Sequence, residues 1–324
     1  MSEYLLEVKD LKIYFPVHGG ILRRKIGDVY AVDGVSFVVR PGETLGLVGE
    51  SGCGKTTVGR GIIRLYRPTD GEVYFRDRKI SEMSKTEIRK VRRDLQMIFQ
   101  DPFESLNSRH TIGTILEEPF VIHENFPAQE RRERVAELLR QVGMQPQSIH
   151  RFPHEFSGGQ RQRIGIARAI ALHPELIICD EPVSALDVSI QSQILNVLID
   201  LQQKLNLSYV FIAHDLAVVK HVSDRIAVMY LGKIVETAEA QDIYEHPRHP
   251  YTRALLSAIP IPDPLAKQSK TPLSGDVPTP RHPPKGCRFH TRCPIAIERC
   301  RYEEPVLRPM DSGSHMAACH RAGE

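Results

Sequence analysis

A glycine-rich loop at residues 49–57 has the residue types and the spacing of a phosphate site. It follows the apolar run from Thr44 to Val48, and its three glycines let consecutive backbone N–H groups curve round an anion. The helix predicted from Lys55 points the positive end of its dipole at that anion. We expect Lys55 to bridge the β- and γ-phosphates of a nucleotide, Thr56 to ligate Mg²⁺ and Cys53 to be a small filler. The loop residues predicted to bind are Gly49, Ser51, Gly52, Cys53, Gly54, Lys55, Thr56 and Thr57.

Two carboxylates close the apolar run from Leu176 to Cys179. A carboxylate at a strand end opposite a phosphate loop can hold Mg²⁺, usually through water, and a second one beside it can orient or deprotonate an attacking water. We therefore predict that Asp180 binds Mg²⁺ and that Glu181 is catalytic. The alternative is a strand-end turn at Asp-Glu-Pro, which the phosphate loop makes less favoured.

A second helix start suited to phosphate lies at Ser157, Gly158, Gly159 and Gln160. Ser157 is a good N-cap, and the two glycines leave the N–H groups of the first turn open to an anion. The alternative is that Ser157 only caps its own helix. That alternative leaves the glycines unexplained, because each costs a helix about 1 kcal/mol.

Four short apolar runs must position these residues. Each run ends in a polar residue or glycine: Thr44 to Val48, Leu95 to Phe99, Leu176 to Cys179, and Tyr209 to Ala213. Such runs, separated by helix-like stretches, predict strands buried on both faces of a parallel sheet. Ligands bind beyond the carboxyl ends of such strands, so the fold class is α/β and the four endings are expected to face one site.

The composition is uneven along the 324 residues. Residues 240–324 hold 13 of the 23 prolines, four of the six cysteines and the whole net charge of +3. We predict a neutral main domain to about residue 235 and a Pro-rich tail, with an extended linker from Pro260 to Pro284. The slight basic excess gives little attraction for nucleic acid. The chain has no 18-residue apolar stretch and starts without the features of a signal peptide, so we expect it to be neither embedded nor exported.

Six motifs stand in an order that resembles the nucleotide-binding subunits of ABC transporters. They are the loop at 49–57 (Walker A), Gln100, Ser-Gly-Gly-Gln at 157–160, Asp180-Glu181 (Walker B), Ser184-Ala185-Leu186-Asp187, and His214. The match covers residues 5 to about 235. It implies a P-loop NTPase fold of ABC type, with a mixed-sheet core and a helical subdomain at about 101–170. Residues 236–324 would be a small Pro/Cys-rich C-terminal extension.

The tail resembles the extensions of oligopeptide and dipeptide importer ATPases. The resemblance rests on His249-Pro250-Tyr251 and on the late cysteines. The insert from Pro16 to Asp28 and the sequence Asp-Pro-Phe-Glu-Ser-Leu-Asn at 101–107 look most like the F-type ATPase of dipeptide permeases.

The resemblance implies further roles in the site. Gln100 would contact Mg²⁺ or the attacking water, and His214 would hold the γ-phosphate. Asp187 would lie at a dimer seam, where the Ser157–Gln160 segment of one chain covers the ATP of the other, so that two ATP molecules are sandwiched between two chains. The adenine would stack on Phe15, with Tyr14 and Tyr30 as alternatives.

The four late cysteines suggest a metal site. Cys287, Cys293, Cys300 and Cys319 lack the short pairs of structural zinc sites, and their spacing leaves iron-sulfur, zinc or free thiols open. The resemblance favours a [4Fe-4S] cluster, with zinc as the alternative. We expect the nearby arginines 288, 292, 299 and 301 to form a solvated basic face. Because every phosphate-handling motif lies upstream of residue 215, we also expect the cluster to be structural or a docking aid rather than part of hydrolysis.

The function that this resemblance implies is an ATP-hydrolysing subunit of a dipeptide or oligopeptide importer. Its partners would be two integral-membrane permease subunits, a second related ATPase and an extracytoplasmic peptide-binding protein, with the chain peripheral at the cytoplasmic face of the membrane and no nucleic acid bound. Two alternatives are an importer ATPase for nickel and a soluble ABC-type ATPase acting on nucleic acid or ribosomes. Against the last stand a single set of motifs and the absence of a coiled-coil insertion.

Overall fold

The computed structural model describes residues 3–21, 24–101, 105–259, 275–310 and 313–322. Its chain forms two compact units. The first consists of Met1–Val38, Thr44–Glu82 and Ala213–Glu324, and the second of Val39–Glu43 and Met83–Ile212. Residues 102–104 and 260–274, within the F-type sequence and the predicted linker, lie outside the described residues. The domain limits at 235 and at 101–170 stay predictions.

Strands come from both halves of the chain. They are β1 Leu6–Gly19, β2 Arg24–Val39, β3 Thr44–Val48, β4 Asp70–Phe75, β5 Arg78–Lys79, β6 Leu95–Ile98, β7 Leu176–Asp180, β8 Ser208–Ala213, β9 Arg225–Tyr230, β10 Lys233–Glu239, β11 Arg308–Pro309 and β12 Met316–Ala317. Each of the four predicted strands is confirmed as β3, β6, β7 or β8, with bounds that agree to within one residue.

The α-helices are α1 Lys55–Ile62, α2 Lys85–Val91, α3 Ile112–His123, α4 Ala128–Gln141, α5 Gly158–Ile170, α6 Val188–Leu205, α7 Leu216–Val219, α8 Ala240–Glu245 and α9 Pro250–Ser257. Short 3₁₀ turns lie at Ile80–Glu82, Pro146–His150, Pro153–Glu155 and Glu298–Arg301. Within the described part of the chain, no helix combines the length and the apolar character needed to cross a membrane.

The first unit contains an antiparallel sheet and a group of mixed strands. The antiparallel sheet has the order β2-β1-β4-β5, and the other strands run β11-β12-β10-β9-β3. Strand β3 is parallel to β9, with Leu45 opposite Arg225, and all five of its residues are buried. Burial on both faces explains why β3 is continuously apolar, and it fixes the point where the glycine-rich loop leaves the sheet.

The second unit contains the parallel strands β8-β7-β6, in that order. Leu176 of β7 pairs with Leu95 on one side and with Ser208 on the other. Every residue of β7 and β8 is buried. The predicted parallel arrangement is therefore confirmed within this unit, and it brings the carboxyl ends of β6 and β7 to one edge.

The C-terminal extension joins the first unit as an added sheet edge. Strand β12 pairs antiparallel with β10, with Ala317 opposite Glu236. Residues 275–284 form neither helix nor strand, and the Tyr30 N–H donates to the Pro280 carbonyl over 3.0 Å. Phe289 is buried, with its ring centroid 5.2 Å from that of Tyr230 and 5.4 Å from that of Tyr251. This aromatic packing anchors the cysteine-rich segment.

Candidate functional site

The glycine-rich loop lies between β3 and α1 and closes around the ammonium group of Lys55. The Lys55 Nζ donates to the carbonyl oxygens of Gly49, over 2.7 Å, and of Glu50, over 3.1 Å. The side chain is buried, with 3% of Lys55 exposed. The loop therefore holds a positive charge in a fixed place at the start of a helix, which is the electrostatic arrangement that favours an anion.

Glycine is required at two points of this loop by close backbone approach. A Cβ atom on Gly49 would lie 2.1 Å from the carbonyl oxygen of Met229. A Cβ atom on Gly54 would lie 2.1 Å from the carbonyl oxygen of Ala31, and Gly54 has a φ of +108°. Gly54 is also the N-cap of α1, so no side chain of the cap occupies the N–H groups of the first turn.

The remaining loop residues divide into exposed and enclosed positions. Ser51 and Gly52 are exposed, whereas Thr56 and Thr57 lie half-buried in the first turn of α1. Cys53 is buried, with its Sγ 3.9 Å from the Lys55 Nζ, and burial raises the pKa of its thiol. Its place is that of the small filler expected from the sequence.

Gln100 and Glu181 are brought together in the second unit. Glu181 follows β7 with a φ of +44°, and its N–H donates to the Ile212 carbonyl over 3.0 Å. The Nε2 of Gln100, two residues beyond β6, donates to the Glu181 carboxylate over 3.1 Å. Asp180, the last residue of β7, is fully buried. A left-handed φ is rare for a residue with a side chain, and such positions cluster at functional sites.

Ser157 caps α5 as predicted, in a reciprocal arrangement with Gln160. The Ser157 N–H donates to Gln160 Oε1 over 3.0 Å, and the Gln160 N–H donates to Ser157 Oγ over 3.4 Å. A Cβ atom on Gly159 would lie 2.5 Å from Cγ2 of Ile190, and one on Gly158 would lie 3.3 Å from Cδ2 of Leu186. Close packing against α6 and the turn before it thus explains the glycines within the fold itself.

Asp187 and His214 both lie at exposed positions. Asp187 is the N-cap residue of α6, and its carbonyl accepts from the N–H groups of Ile190 and Gln191. His214 directly follows β8 in the chain.

The three aromatic residues considered for adenine stacking differ in their side-chain contacts. The Phe15 ring lies edge-on to Tyr66, with centroids 5.2 Å apart. Tyr14 lies edge-on to Tyr30 at 4.8 Å, and its hydroxyl donates to Asp33 over 2.5 Å. Asp33 therefore ties down Tyr14, whereas Phe15 remains half-buried with an apolar ring. This difference favours Phe15 among the three candidates.

The four late cysteines are free thiols that lie near one another. Burial raises the pKa of Cys287 to about 12, and Cys300, Cys293 and Cys319 add to that rise. The Cys287 N–H also donates to the Cys300 carbonyl over 2.9 Å. Within the described residues, however, no group of three or more histidine, cysteine, aspartate or glutamate side chains is placed to hold a metal ion.

The predicted basic face is wrong for two of its four arginines. Arg299 and Arg301 are exposed, but Arg288 and Arg292 are buried. Arg288 donates to Asp33 and to the Leu231 carbonyl. Arg292 forms two hydrogen bonds with the Glu50 carboxylate, of 2.6 and 3.0 Å. Burial of a guanidinium requires such pairing. The two carboxylate partners, Asp33 and Glu50, are more than 200 residues away in sequence, where no local pattern identifies them.

The His249-Pro250-Tyr251 element also touches the loop. His249 caps α9 through its Nδ1, which accepts from the Tyr251 N–H over 3.1 Å. The Tyr251 hydroxyl accepts from the Glu50 N–H over 2.8 Å. The extension therefore contacts the glycine-rich loop, which the order of the motifs along the chain does not indicate. Glu50 was not among the predicted site residues.

Comparison with known families supports both parts of the chain. Residues 32–184 match the ABC transporter family, and residues 235–300 match the family described as oligopeptide/dipeptide transporter, C-terminal region. The second match includes His249, Tyr251 and Arg292, so the contacts to Glu50 start from the part of the chain that is typical of peptide transporters.

Individual relatives align over nearly the whole length. The oligopeptide transport ATP-binding protein AppF of Bacillus subtilis is 54% identical over 98% of this chain and 98% of its own. The di/tripeptide transport ATP-binding protein DppF of Pseudomonas aeruginosa is 49% identical over 99% of this chain and 98% of its own. These identities do not favour the dipeptide over the oligopeptide type.

A solved structure supports the fold. The ATP-binding cassette MJ0796, in a dimeric post-hydrolysis state bound to ADP and phosphate, has a TM-score of 0.65 and 28% identity, covering 72% of this chain and 98% of its own. The predicted ABC-type α/β fold is confirmed. Given this fold, the two family matches and the full-length relatives, the chain belongs to the oligopeptide/dipeptide ABC transporter ATP-binding proteins, the ATPases that energise peptide import.

Proposed function

We propose that the loop at 49–57 binds the phosphates of ATP and that Glu181 activates the water that attacks them. Lys55 neutralises charge on the β- and γ-phosphates, and the loop N–H groups and the start of α1 bind their oxygens. Phe15 stacks on the adenine. The enclosure of the Lys55 ammonium by the Gly49 and Glu50 carbonyls supports this assignment, because it fixes the position of the positive charge.

Thr56, Gln100 and Asp180 are the proposed residues for Mg²⁺. A hydroxyl, an amide oxygen and a carboxylate are the oxygen donors that this ion takes in phosphoryl-transfer sites. Mg²⁺ held by these residues would offset negative charge on the phosphates. Asp180 is the last residue of a fully buried strand, and this fixes the position of its carboxylate.

The hydrogen bond from Gln100 to Glu181 carries the catalytic part of the proposal. It orients a carboxylate that would accept a proton from water while the water oxygen forms a bond to the γ-phosphorus. The bond from that phosphorus to the ADP oxygen breaks, and ADP and phosphate leave. His214 donates a hydrogen bond to the γ-phosphate. The hydrogen bond from Gln100 would thus keep the base in the orientation that the proton transfer needs.

The Ser157–Gln160 segment and Asp187 are proposed to act on the ATP of a partner ATPase. Gly158 and Gly159 occupy the first two positions of α5, where N–H groups have no acceptor within the helix. Ser157 and Asp187 are exposed and can meet a second chain. Two ATP molecules would then lie between two ATPase chains, each completed by residues of the other.

Membership of this family implies membrane permease partners and a dimeric ATPase. We propose the finer assembly: two integral-membrane permease subunits, a second and non-identical ATPase, and an extracytoplasmic peptide-binding protein. The chain would lie at the cytoplasmic face of the membrane. Relatives named for oligopeptide and for di/tripeptide transport support a peptide as the solute over nickel, and the C-terminal match argues against a nucleic-acid ATPase.

The test is the Glu181→Gln variant in the assembled transporter. It keeps the shape of the side chain but removes the base, so ATP turnover is expected to fall by roughly 10² to 10⁴-fold while ATP binding is retained. Glu130→Gln is the matched control, because Glu130 lies on α4 in an exposed pair with Arg134. Turnover of Glu181→Gln at the parent rate would show that Glu181 is not the base.

We also propose that Cys287, Cys293, Cys300 and Cys319 hold a [4Fe-4S] cluster, with zinc as the alternative. Four free thiols within one short segment of the chain are a donor set suited to iron. Their described positions do not form a ligand group, so no catalytic step is assigned to a metal here. Protein purified anaerobically should contain about four irons and four sulfides per chain, the composition of such a centre, and Cys293→Ser should lose them. One zinc per chain, or no metal at all, would contradict the cluster.

A further inference from the structure

Glu50, the second residue of the glycine-rich loop, is held at three points. Its N–H donates to the Tyr251 hydroxyl over 2.8 Å, its carbonyl accepts from the Lys55 Nζ over 3.1 Å, and its carboxylate pairs with Arg292. Two of these three partners belong to the C-terminal extension, and the third is the residue proposed to bind phosphate. The extension is therefore linked to Lys55 through one residue.

The pair between Arg292 and Glu50 has the features of a specific contact rather than an incidental one. Both terminal nitrogens of Arg292 bond the two carboxylate oxygens, over 2.6 and 3.0 Å, so the pair is bidentate. The Arg292 side chain is 6% exposed and that of Glu50 25% exposed. An arginine side chain remains protonated in proteins, so the contact is an ion pair.

Buried aromatic side chains pack around the two residues that hold Glu50, Arg292 and Tyr251. The Arg292 guanidinium lies 5.9 Å from the centroid of the Tyr230 ring, and Tyr230 packs edge-on against Tyr251 at 4.8 Å. Tyr230 and Tyr251 are both fully buried. The two groups that hold Glu50 are thus fixed to each other through a single aromatic cluster, and a movement of one is transmitted to the other.

We propose that Arg292 is a positioning residue for nucleotide binding. By fixing the Glu50 carboxylate, Arg292 keeps the Glu50 carbonyl directed at Lys55 and holds the neighbouring loop amides in the curve that an anion requires. The cysteine-rich extension then sets the affinity of the chain for ATP. This inference rests on the proposed assignment of the loop as the phosphate site, and it adds a residue that lies outside every nucleotide-binding motif of the sequence.

The experiment measures ATP affinity, by calorimetry on the full chain, for Arg292→Gln, Arg292→Lys, Glu50→Gln and the double variant Glu50→Gln/Arg292→Gln. Arg292→Gln is expected to weaken ATP binding roughly tenfold, since a charge-assisted bidentate pair is lost. Arg292→Lys keeps the positive charge but loses the two parallel N–H donors of the guanidinium, so it should bind ATP more tightly than Arg292→Gln but less tightly than the parent. The double variant should bind no more weakly than Arg292→Gln, because both changes remove the same contact.

Arg299→Gln is the matched control, since Arg299 lies in the same segment in an exposed pair with Glu303. It should bind ATP as the parent does. In the assembled transporter, Arg292→Gln should raise KM with little change in kcat, whereas a loss of folded protein would lower the apparent kcat alone. Thermal unfolding of each variant shows the folded fraction, and Glu50→Gln tests the contact from the loop side if Arg292→Gln does not fold.

Lys55→Ala separates the two proposals. If it binds ATP as tightly as the parent, the loop is not the phosphate site and the proposed function fails. If Lys55→Ala loses binding while folded Arg292→Gln and Glu50→Gln keep the parent affinity, the loop assignment holds and the positioning role of Arg292 is overturned. Equal weakening by Arg292→Gln and Arg299→Gln would also overturn it, because the effect would then come from charge alone.

Discussion

The helices α1 and α5 both have glycine at their N-terminal ends, but these ends are built in opposite ways. The N-cap of α1 is Gly54, which has no side chain, and the Lys55 ammonium donates to the carbonyls of Gly49 and Glu50. The N-cap of α5 is Ser157, which exchanges hydrogen bonds with Gln160. The first end is the proposed anion site, and it holds its own cation. The second satisfies part of its own hydrogen bonding, so it is suited to completing a site that another chain supplies.

Removal of the Lys55 side chain should give the largest change in ATP binding among the substitutions that compare the two helix ends. Lys55→Ala takes away the fixed charge of the α1 end and should weaken ATP binding to the full chain roughly 10 to 100-fold, the size expected for a hydrogen bond to a charged group. Calorimetric titration with ATP and Mg²⁺ measures it. The N-terminal end of α5 should not replace the lost charge. If Lys55→Ala still bound ATP tightly, the N-terminal ends of α1 and α5 would not differ in the way they bind an anion.

A block at the α5 end should show the reverse behaviour. Ser157→Arg should leave ATP affinity of the isolated chain within about twofold of the parent but lower ATPase activity of the assembled transporter more than about tenfold, because binding and transition-state contacts are lost separately. The measurement is turnover after reconstitution with the permeases and the partner ATPase.

Ser84→Arg is the matched control for that substitution. Ser84 caps α2 in the same reciprocal way, with Glu87, and is also exposed. Loss of a cap costs about 1 kcal/mol in either helix, so both variants should be destabilised alike. Only Ser157→Arg should inactivate. If a dilute single chain with Ser157→Arg were fully active, the shared site would be excluded.

Short-range signals explain which of these features could be predicted. The signals for the loop (49–57) and for the Ser157 cap (157–160) each lie within ten residues of sequence. Gln100 and Glu181 each follow a buried apolar run that marks a strand end. Arg292 and Glu50 are 242 residues apart, and Gly159 meets Ile190 across a helix pair. Such contacts depend on tertiary packing, which produces no periodic pattern in the sequence. The sequence alone therefore predicts an exposed basic face for the four arginines near the cysteines, although two of these arginines are buried in the structure.

The start of α9 is a third type of helix end, capped by a buried imidazole. Burial lowers the pKa of His249 to about 4; Glu236 opposes this shift and Arg253 adds to it. Because the unfolded chain takes up this proton near pH 6.5 and the folded chain only near pH 4, folding stability should fall as the pH drops through that window, by roughly 3 kcal/mol from this group.

The measurement is urea unfolding between pH 7.5 and 4.5 for the parent and for His249→Asn. Asparagine retains an N-cap acceptor but does not titrate, so the variant should have a smaller pH slope. Glu236, which His315 contacts over 2.7 Å, also has a lowered pKa and loses its contribution in acid, but it is present in both proteins. Identical slopes would show that His249 is not buried as a neutral group.

The smallest effect separates packing from ligand binding as the reason for glycine in α5. A Cβ atom on Gly159 would lie 2.5 Å from Cγ2 of Ile190, whereas one on Gly165 of the same helix has no such neighbour within 4 Å. Gly159→Ala should therefore lower the free energy of unfolding by about 1 to 2 kcal/mol through overpacking. Gly165→Ala should raise it by up to about 1 kcal/mol through helix propensity. If both substitutions stabilise the chain in urea unfolding, packing against α6 does not require glycine at 159. The glycine would then be explained by the partner's ATP alone, and the α5 end would resemble the α1 end more closely than its cap indicates.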